Sequence, residues 1–309
     1  MHPHHPRSHR RTSAAIAAVC LGAALLGAAA PASAAHRDAS ASVVRVAVPA
    51  AQGSDAVAYW TPERLAAATE DSGSGDAASD AVSSDAARTN DQAEQVATVS
   101  HIGRIYYVQE GSGHFCSANV VDSANGSTIA TAGHCVTRDQ TFSTKMVFYP
   151  QYESGGSPYG VWPVVGGNVL TGWYQKNDDD QAEDTAFMAV APDSDGDTVA
   201  SVVGSSPVLF DQPATQLVSA YGYPAVGRFD GEHLDRCIGT GTAAGTAQID
   251  LACDMTGGVS GGPIFAGAGS DGAQFSNVAE YDYTVTHNIG PLWQAAAQSA
   301  HDLTGAIGT

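Results

Sequence analysis

Basic residues are scarce in this 309-residue chain: from Ala97 onward six Lys and Arg stand against 22 Asp and Glu, a net charge of −16. A surface of that sign repels nucleic acid and anionic membranes, so neither is expected as a partner, and it favours solubility outside a cell. Long apolar runs are also scarce. Past residue 30 no segment is apolar for long enough to span a bilayer. Cys-x-x-Cys pairs are missing from the five cysteines, which argues against a zinc site. Regular helical patterning is confined to the C-terminal end, which excludes an alternating α/β plan.

What is present begins with Arg7, Arg10 and Arg11, an uncharged Ala- and Leu-rich run from Ala14 to Ala30, and the small-x-small pattern Ala32-Ser33-Ala34. This reads as a signal peptide over 1–34 that directs the protein out of the cell, leaving no membrane segment once it is removed. Arg10-Arg11 permits a twin-arginine route as well as the general one. The histidines between His2 and His9 resemble a metal-binding tract, but they leave with the signal. So does Cys20, and the remaining four cysteines in an exported chain imply disulfides. Four cysteines allow three pairings. The local ones, Cys116 to Cys135 and Cys237 to Cys253, are the simplest, each worth about 3 kcal/mol by loop entropy.

Residues 35–95 are rich in Ala, Ser, Asp and Thr, with Asp71-Ser72-Gly73-Ser74-Gly75-Asp76 at their centre. The composition predicts a weakly ordered segment, and its place after a signal suggests a prosegment. Two stretches stand out from it. Val43 to Val48 alternates like a strand, and Thr61-Pro62-Glu63-Arg64-Leu65 can start a short helix, with Thr61 as cap and Pro62 at the first position.

From Val96 the chain turns into short β-branched and aromatic runs separated by Gly, Pro, Asn and Asp. Strands are predicted at Ile102 to Val108, Ser117 to Val121, Thr128 to Ala130, Lys145 to Tyr149, Val161 to Val169 and Ala186 to Val190. A second series is predicted at Val199 to Val203, Gln216 to Gly222, Ile238 to Ala247, Gln248 to Cys253, Gly262 to Phe265 and Phe275 to Tyr281. Two such groups predict an all-β fold of two six-stranded antiparallel β-barrels, over 96–198 and 199–309, with the active site between them. The alanine-rich stretch from Pro291 to Leu303 adds a C-terminal helix.

Three motifs carry chemistry. Thr131-Ala132-Gly133-His134-Cys135 sets His134 beside a cysteine that can tether it. Glu183-Asp184-Thr185-Ala186-Phe187-Met188 puts Asp184 at the head of an apolar strand, a better-placed acid than Asp178, Asp179 and Asp180, which form a solvated run. Thr256-Gly257-Gly258-Val259-Ser260-Gly261-Gly262-Pro263 sets Ser260 in a glycine-rich loop, where the amides of Gly258 and Ser260 can converge on one oxyanion. A serine hydroxyl needs an imidazole to accept its proton, and an aspartate to hold that imidazole. Gly258 to Gly262 also fits the nucleophile elbow of α/β-hydrolases, which requires an acid and then a histidine after the serine. Only 49 residues follow Ser260, and alternating helices are missing.

In their order along the chain, Thr-Ala-Gly-His-Cys, Asp-x-Ala and Gly-x-Ser-Gly-Gly-Pro resemble the chymotrypsin-like serine proteases. The Thr-Gly-Gly-x-Ser-Gly form is similar to their bacterial V8-like, glutamyl-endopeptidase-like branch. The resemblance implies a secreted, monomeric endopeptidase with His134, Asp184 and Ser260 as catalytic residues, a protein or peptide substrate and no cofactor. It also implies a pocket edged by Asp254, six residues before Ser260, and by Glu280, where a carboxylate would favour a basic side chain. Val259 replaces the aspartate that usually pairs with a freed N-terminus in this family, so activation by that route is missing. A protease-like binding protein without chemistry is the alternative function. Glutamate preference would require positive groups, of which His287 is one; His101, His114, His233 and His301 read as packing or surface residues. Asp193-Ser194-Asp195-Gly196-Asp197 is similar to a calcium loop, but Gly204 stands where the closing glutamate belongs.

Overall fold

A computed structural model describes residues 42–49, 51–71, 93–282 and 284–309. The expected signal peptide, the histidine tract, Cys20 and the run Ser72 to Asp76 lie outside the described residues.

Six strands form the first barrel: β1 (Ile102–Gln109), β2 (Ser112–Val121), β3 (Thr128–Thr131), β4 (Thr144–Pro150), β5 (Trp162–Leu170) and β6 (Ala186–Val190). Their antiparallel ladder runs β4-β1-β2-β3-β6-β5 and returns to β4 through Trp162↔Phe148, so the barrel closes. Closure removes exposed edges. Ile105, Val120, Ile129, Phe148, Trp162 and Met188 are among the buried residues that fill it. Gly167 is required in β5, because a Cβ there would stand 2.4 Å from the Phe187 carbonyl.

The second set comprises β7 (Leu217–Gly222), β8 (Asp235–Thr240), β9 (Gln248–Ala252), β10 (Pro263–Ala266), β11 (Gln274–Asn277) and β12 (His287–Pro291). It is divided between two sheets, one built on β11-β10-β7-β8 and one on β9-β12. The Cys237–Cys253 disulfide ties β8 to the end of β9, and Ala279 N–H donates to Ile289 O across the other seam at 2.9 Å. Cys116–Cys135 is the second disulfide. The C-terminal helix, Ala295–Gly305, buries Ala297 and Ala300 with Trp293 and Phe187.

Four elements differ from expectation, one of them Phe275 to Tyr281, which breaks at Val278 and Ala279 into the strands Gln274–Asn277 and Glu280–Tyr281. Val199–Val203 is a helical turn rather than a strand. Thr198 caps it by accepting from Ser201 N–H, and Gly204, with φ of 80°, ends it. Its Val199 and Val203 pack into the first core, so the first barrel's packing continues past residue 198. The expected strand Ile238 to Ala247 breaks after Thr240 and begins earlier, at Asp235. Strand β12 carries Asn288, Gly290 and Pro291 and lacks the alternation that marks a strand in sequence.

The upstream segment holds more order than its composition predicts. Val43–Ala47 pairs with Gly166 to Leu170 of β5, along the side that β4 occupies only at Trp162 and Pro163. The helix Ala51–Tyr59 follows, and then Pro62–Ala67, capped by Thr61 with Pro62 first. Between them Trp60 is buried, packs on Tyr106 and donates its indole N–H to Lys145 O at 2.6 Å. Thr69–Glu70 then pairs in parallel with His114 and Phe115 of β2. These upstream elements are ordered by docking on the body of the protein rather than by a core of their own.

Candidate active site

The β3 strand ends at Thr131, and the next turn delivers His134, which is buried. Cys135 is bonded to Cys116 of β2, which fixes the turn. Gly133 allows Trp173 to approach: a Cβ at that position would lie 2.6 Å from the indole and 2.9 Å from Asp184 Oδ1. Asp184, fully buried, precedes β6. Its Oδ1 accepts the His134 backbone N–H at 2.8 Å, and its Oδ2 lies 2.7 Å from His134 Nδ1. One carboxylate thus holds both the backbone and the ring of the histidine. With Nδ1 so engaged, the buried Nε2 has no hydrogen-bond partner among the described residues.

Asn277 at the end of β11 fixes the acid in turn. Its Nδ2 donates to Asp184 O at 3.0 Å, while its Oδ1 accepts from Thr185 Oγ1 at 2.8 Å and Trp293 Nε1 at 3.1 Å. Sequence reasoning missed this residue, for nothing near it in the chain marks an asparagine that acts through a partner 93 residues away.

Ser260 comes from the second strand set, in the loop before β10. Ser117 of β2 joins the two sets: its N–H donates to Ser260 O at 2.8 Å and its Oγ to Gly258 O at 2.9 Å. Gly258 has φ of 96°, and a Cβ on it would meet Tyr223 O at 2.4 Å, so the loop requires glycine there. Val259 is buried in the second apolar core with Ile264 and Phe275. The position where an aspartate was missing in sequence therefore holds packing.

The contact made by Ser260 was not legible in the chain. Its Oγ donates to the backbone carbonyl of Asp71 at 3.1 Å, and Gly258 N–H donates to the same oxygen at 3.3 Å. Asp71 N–H donates to Phe115 O at 3.0 Å. The Asp71 carboxylate accepts from Tyr107 OH at 2.5 Å and pairs with Arg138 at 3.0 Å. A peptide carbonyl from the upstream segment thus sits on the serine hydroxyl and on one of the two expected oxyanion donors.

These charges set the protonation of His134. Burial pushes its pKa down, but the carboxylate of Asp184, its hydrogen bond and the nearby Asp71 outweigh that and the opposing Arg138, so the pKa is raised. Tyr107 is held well above the usual phenol range by burial and by Asp71, so it stays a donor.

The remaining expected site residues lie elsewhere in the network. Asp254 accepts from Arg228 Nε at 3.1 Å and Nη2 at 3.0 Å, and from Ala93 N–H at 2.7 Å. That fork matches its charge. Glu280 accepts from Gln248 at 3.0 Å, and His287 lies 2.5 Å from Asp250. His101, His114, His233 and His301 each bond a neighbour, Asn119, Thr69, Asp230 and Asp122 respectively. Of the rival acids, Asp180 pairs with Lys176, and the backbone of Asp178 and Asp179 lies in the 3-10 turn Asn177–Glu183. Asp193 turns its carboxylate onto the amides of Asp195 and Asp197, capping its own loop.

No protein-family model and no curated protein matches the chain. Solved structures do. The protease Anisep from Arthrobacter nicotinovorans superposes with a TM-score of 0.66 at 36% identity, over 70% of this chain and 100% of its own. The thermostable serine protease AL20 from an extremophilic microorganism gives 0.63 at 38% identity, over 68% of this chain and 98% of its own. A Glu endopeptidase, solved in complex with MPD, shares the fold at 0.57 and 20% identity, over 71% of this chain and 98% of its own.

Proposed function

Because the chain belongs to the chymotrypsin-like serine proteases and is a serine endopeptidase, we propose that it lies on their bacterial V8-like branch and cleaves peptide bonds through Ser260, His134 and Asp184. The observation that carries this reading is the double hold of Asp184 on His134, at the backbone and at Nδ1, which directs Nε2 to act as the base. Ser260 Oγ attacks the carbonyl carbon of the scissile bond as Nε2 takes its proton. The oxyanion that forms is met by the N–H groups of Gly258 and Ser260. The imidazolium, stabilised by Asp184, gives its proton to the leaving amine, and an acyl-enzyme on Ser260 remains. Water activated by His134 then releases the second product.

The same site suggests that the full chain is an inactive precursor. Ser260 donates its proton to Asp71 O, and Gly258 N–H is spent on that same oxygen, so a substrate carbonyl would have to displace both contacts. About 30% of this chain has no counterpart in Anisep, whose own chain is covered in full. That excess supports reading 35–95 as a prosegment removed after export, ahead of a mature unit whose first barrel carries His134 and Asp184 and whose second carries Ser260. Export itself is supported by the signal pattern over 1–34 and by the two disulfides, which need an oxidising compartment.

Reaction with a fluorophosphonate, followed by peptide mapping, tests the chemistry. The expected result is a single adduct on Ser260, lost in Ser260→Ala together with hydrolysis, a fall of about 10⁴-fold or more. A processed protein that neither labels nor cleaves would contradict it.

A further inference from the structure

The carboxylate of Asp71 occupies a place built to receive it. Tyr107 OH meets Oδ2 at 2.5 Å and Arg138 meets Oδ1 at 3.0 Å. Tyr107 is fully buried, and its hydroxyl also lies 3.2 Å from Cys116 Sγ in the disulfide that anchors His134. Arg138 follows His134 by four residues and keeps about a third of its side chain exposed, so it is reachable from outside. A planar guanidinium, which can only donate, beside a phenol whose hydroxyl donates to the same carboxylate makes a pair that favours an acceptor of negative charge. In a region with six basic residues among 22 acidic ones, a cation beside the catalytic histidine is not background.

We propose that Tyr107 and Arg138 form a carboxylate-selecting subsite for the substrate chain on the leaving-group side of the scissile bond, which Asp71 fills as an internal ligand. The side follows from the chemistry. His134 hands its proton to the leaving amine, so the residues after the cut depart past the imidazole, where Arg138 and Tyr107 stand. The ligand class is an acidic side chain one or two residues after the scissile bond. A peptide's terminal carboxylate offers the same chemistry. This inference rests on Ser260 acting as the nucleophile.

The test uses the protein as recovered after export, with peptides carrying Glu or Gln at the first or second position after the cut and an amidated C-terminus. A parallel series has Gln at both positions and a free C-terminal acid. The expected result is a kcat/KM at least 10-fold higher for Glu than for Gln, carried mainly by KM. Arg138→Gln should reduce that ratio to about 2-fold or less, and Tyr107→Phe should reduce it part of the way. If only the free-acid series gains, the subsite reads a chain end and the side-chain claim is overturned. Equal rates for Glu and Gln, or a preference untouched in both variants, overturn the subsite.

Fluorophosphonate labelling of Ser260 in the same preparations keeps the two readings apart, since label without acid preference overturns only the subsite. If Ser260 does not label, calorimetry on the full chain carrying Asp71→Asn and Ser260→Ala decides it. Tighter binding of the Glu peptide supports the subsite, and equal binding overturns it.

Discussion

The body of the protein, from Val96 onward, and the segment Val43 to Asp71, whose last contact is on Ser260, are held in place in opposite ways. The body has cores of its own inside its barrel and between its sheets, with disulfides at two corners. The segment has docking contacts only: Val43–Ala47 along β5, Trp60 against Tyr106, and Asp71 on Ser260. A part ordered entirely by what it covers can be removed without dismantling what it covers. The His134–Asp184 bonds illustrate this, because every atom in them belongs to the body. The Ser260 hydroxyl does not share that independence, since its bond crosses to the segment.

The largest effect expected from breaking the body's side of this contrast is on catalysis. Asp184→Asn retains the shape but offers His134 Nδ1 an amide, so kcat of the processed enzyme should fall by about 10⁴-fold with KM little changed. Circular dichroism matching the wild type, with that loss, would place the effect in proton handling. A loss below 10-fold would show that Asp184 is not the residue orienting the base.

A smaller effect sharpens the segment's side. His134 must be neutral to accept a proton, so reactivity rises as pH climbs through its pKa. Asp71 raises that pKa and Arg138 lowers it. Asp71→Asn should therefore move the acid limb of the Ser260 labelling profile to lower pH, and Arg138→Gln should move it to higher pH. Shifts in the same direction would break the electrostatic picture. Stability follows the same sign. A raised folded-state pKa means that the imidazolium's contribution is fully present below the histidine's ordinary value, and is lost as pH rises through the raised one.

Much of the body was legible in sequence because its chemistry is written in side chains and spacings. His134 beside Cys135, Asp184 at the head of a buried strand, and Ser260 among glycines needed for φ of 96° at Gly258 and 78° at Gly261 all carry local signatures. Both disulfides followed from proximity in the chain. Val199–Val203 was misread because β-branched residues favour strands in general, while Thr198 and Gly204 supply the caps that make this run a turn of helix. Strand β12 went unread because its partners, β9 and Glu280–Tyr281, and not its own pattern, make it a strand.

The segment was hardly legible for a different reason. Asp71 acts on Ser260 through a backbone carbonyl, an atom that every residue carries, and across 189 positions of chain. Its surroundings in sequence are those of a linker. The pairing of Asp254 was hidden for a related reason: its guanidinium partner, Arg228, lies 26 residues upstream with no motif joining them.

The most direct measurement of the central claim is the rate at which a fluorophosphonate labels Ser260 in the intact chain, in the intact chain carrying Asp71→Gly, and in the chain after the segment is removed. If Asp71 holds the hydroxyl and the Gly258 N–H, the intact chain should label at least 10-fold more slowly than the processed form, with Asp71→Gly between them. Equal rates in all three would contradict it, for they would mean that the serine is as free under the segment as without it.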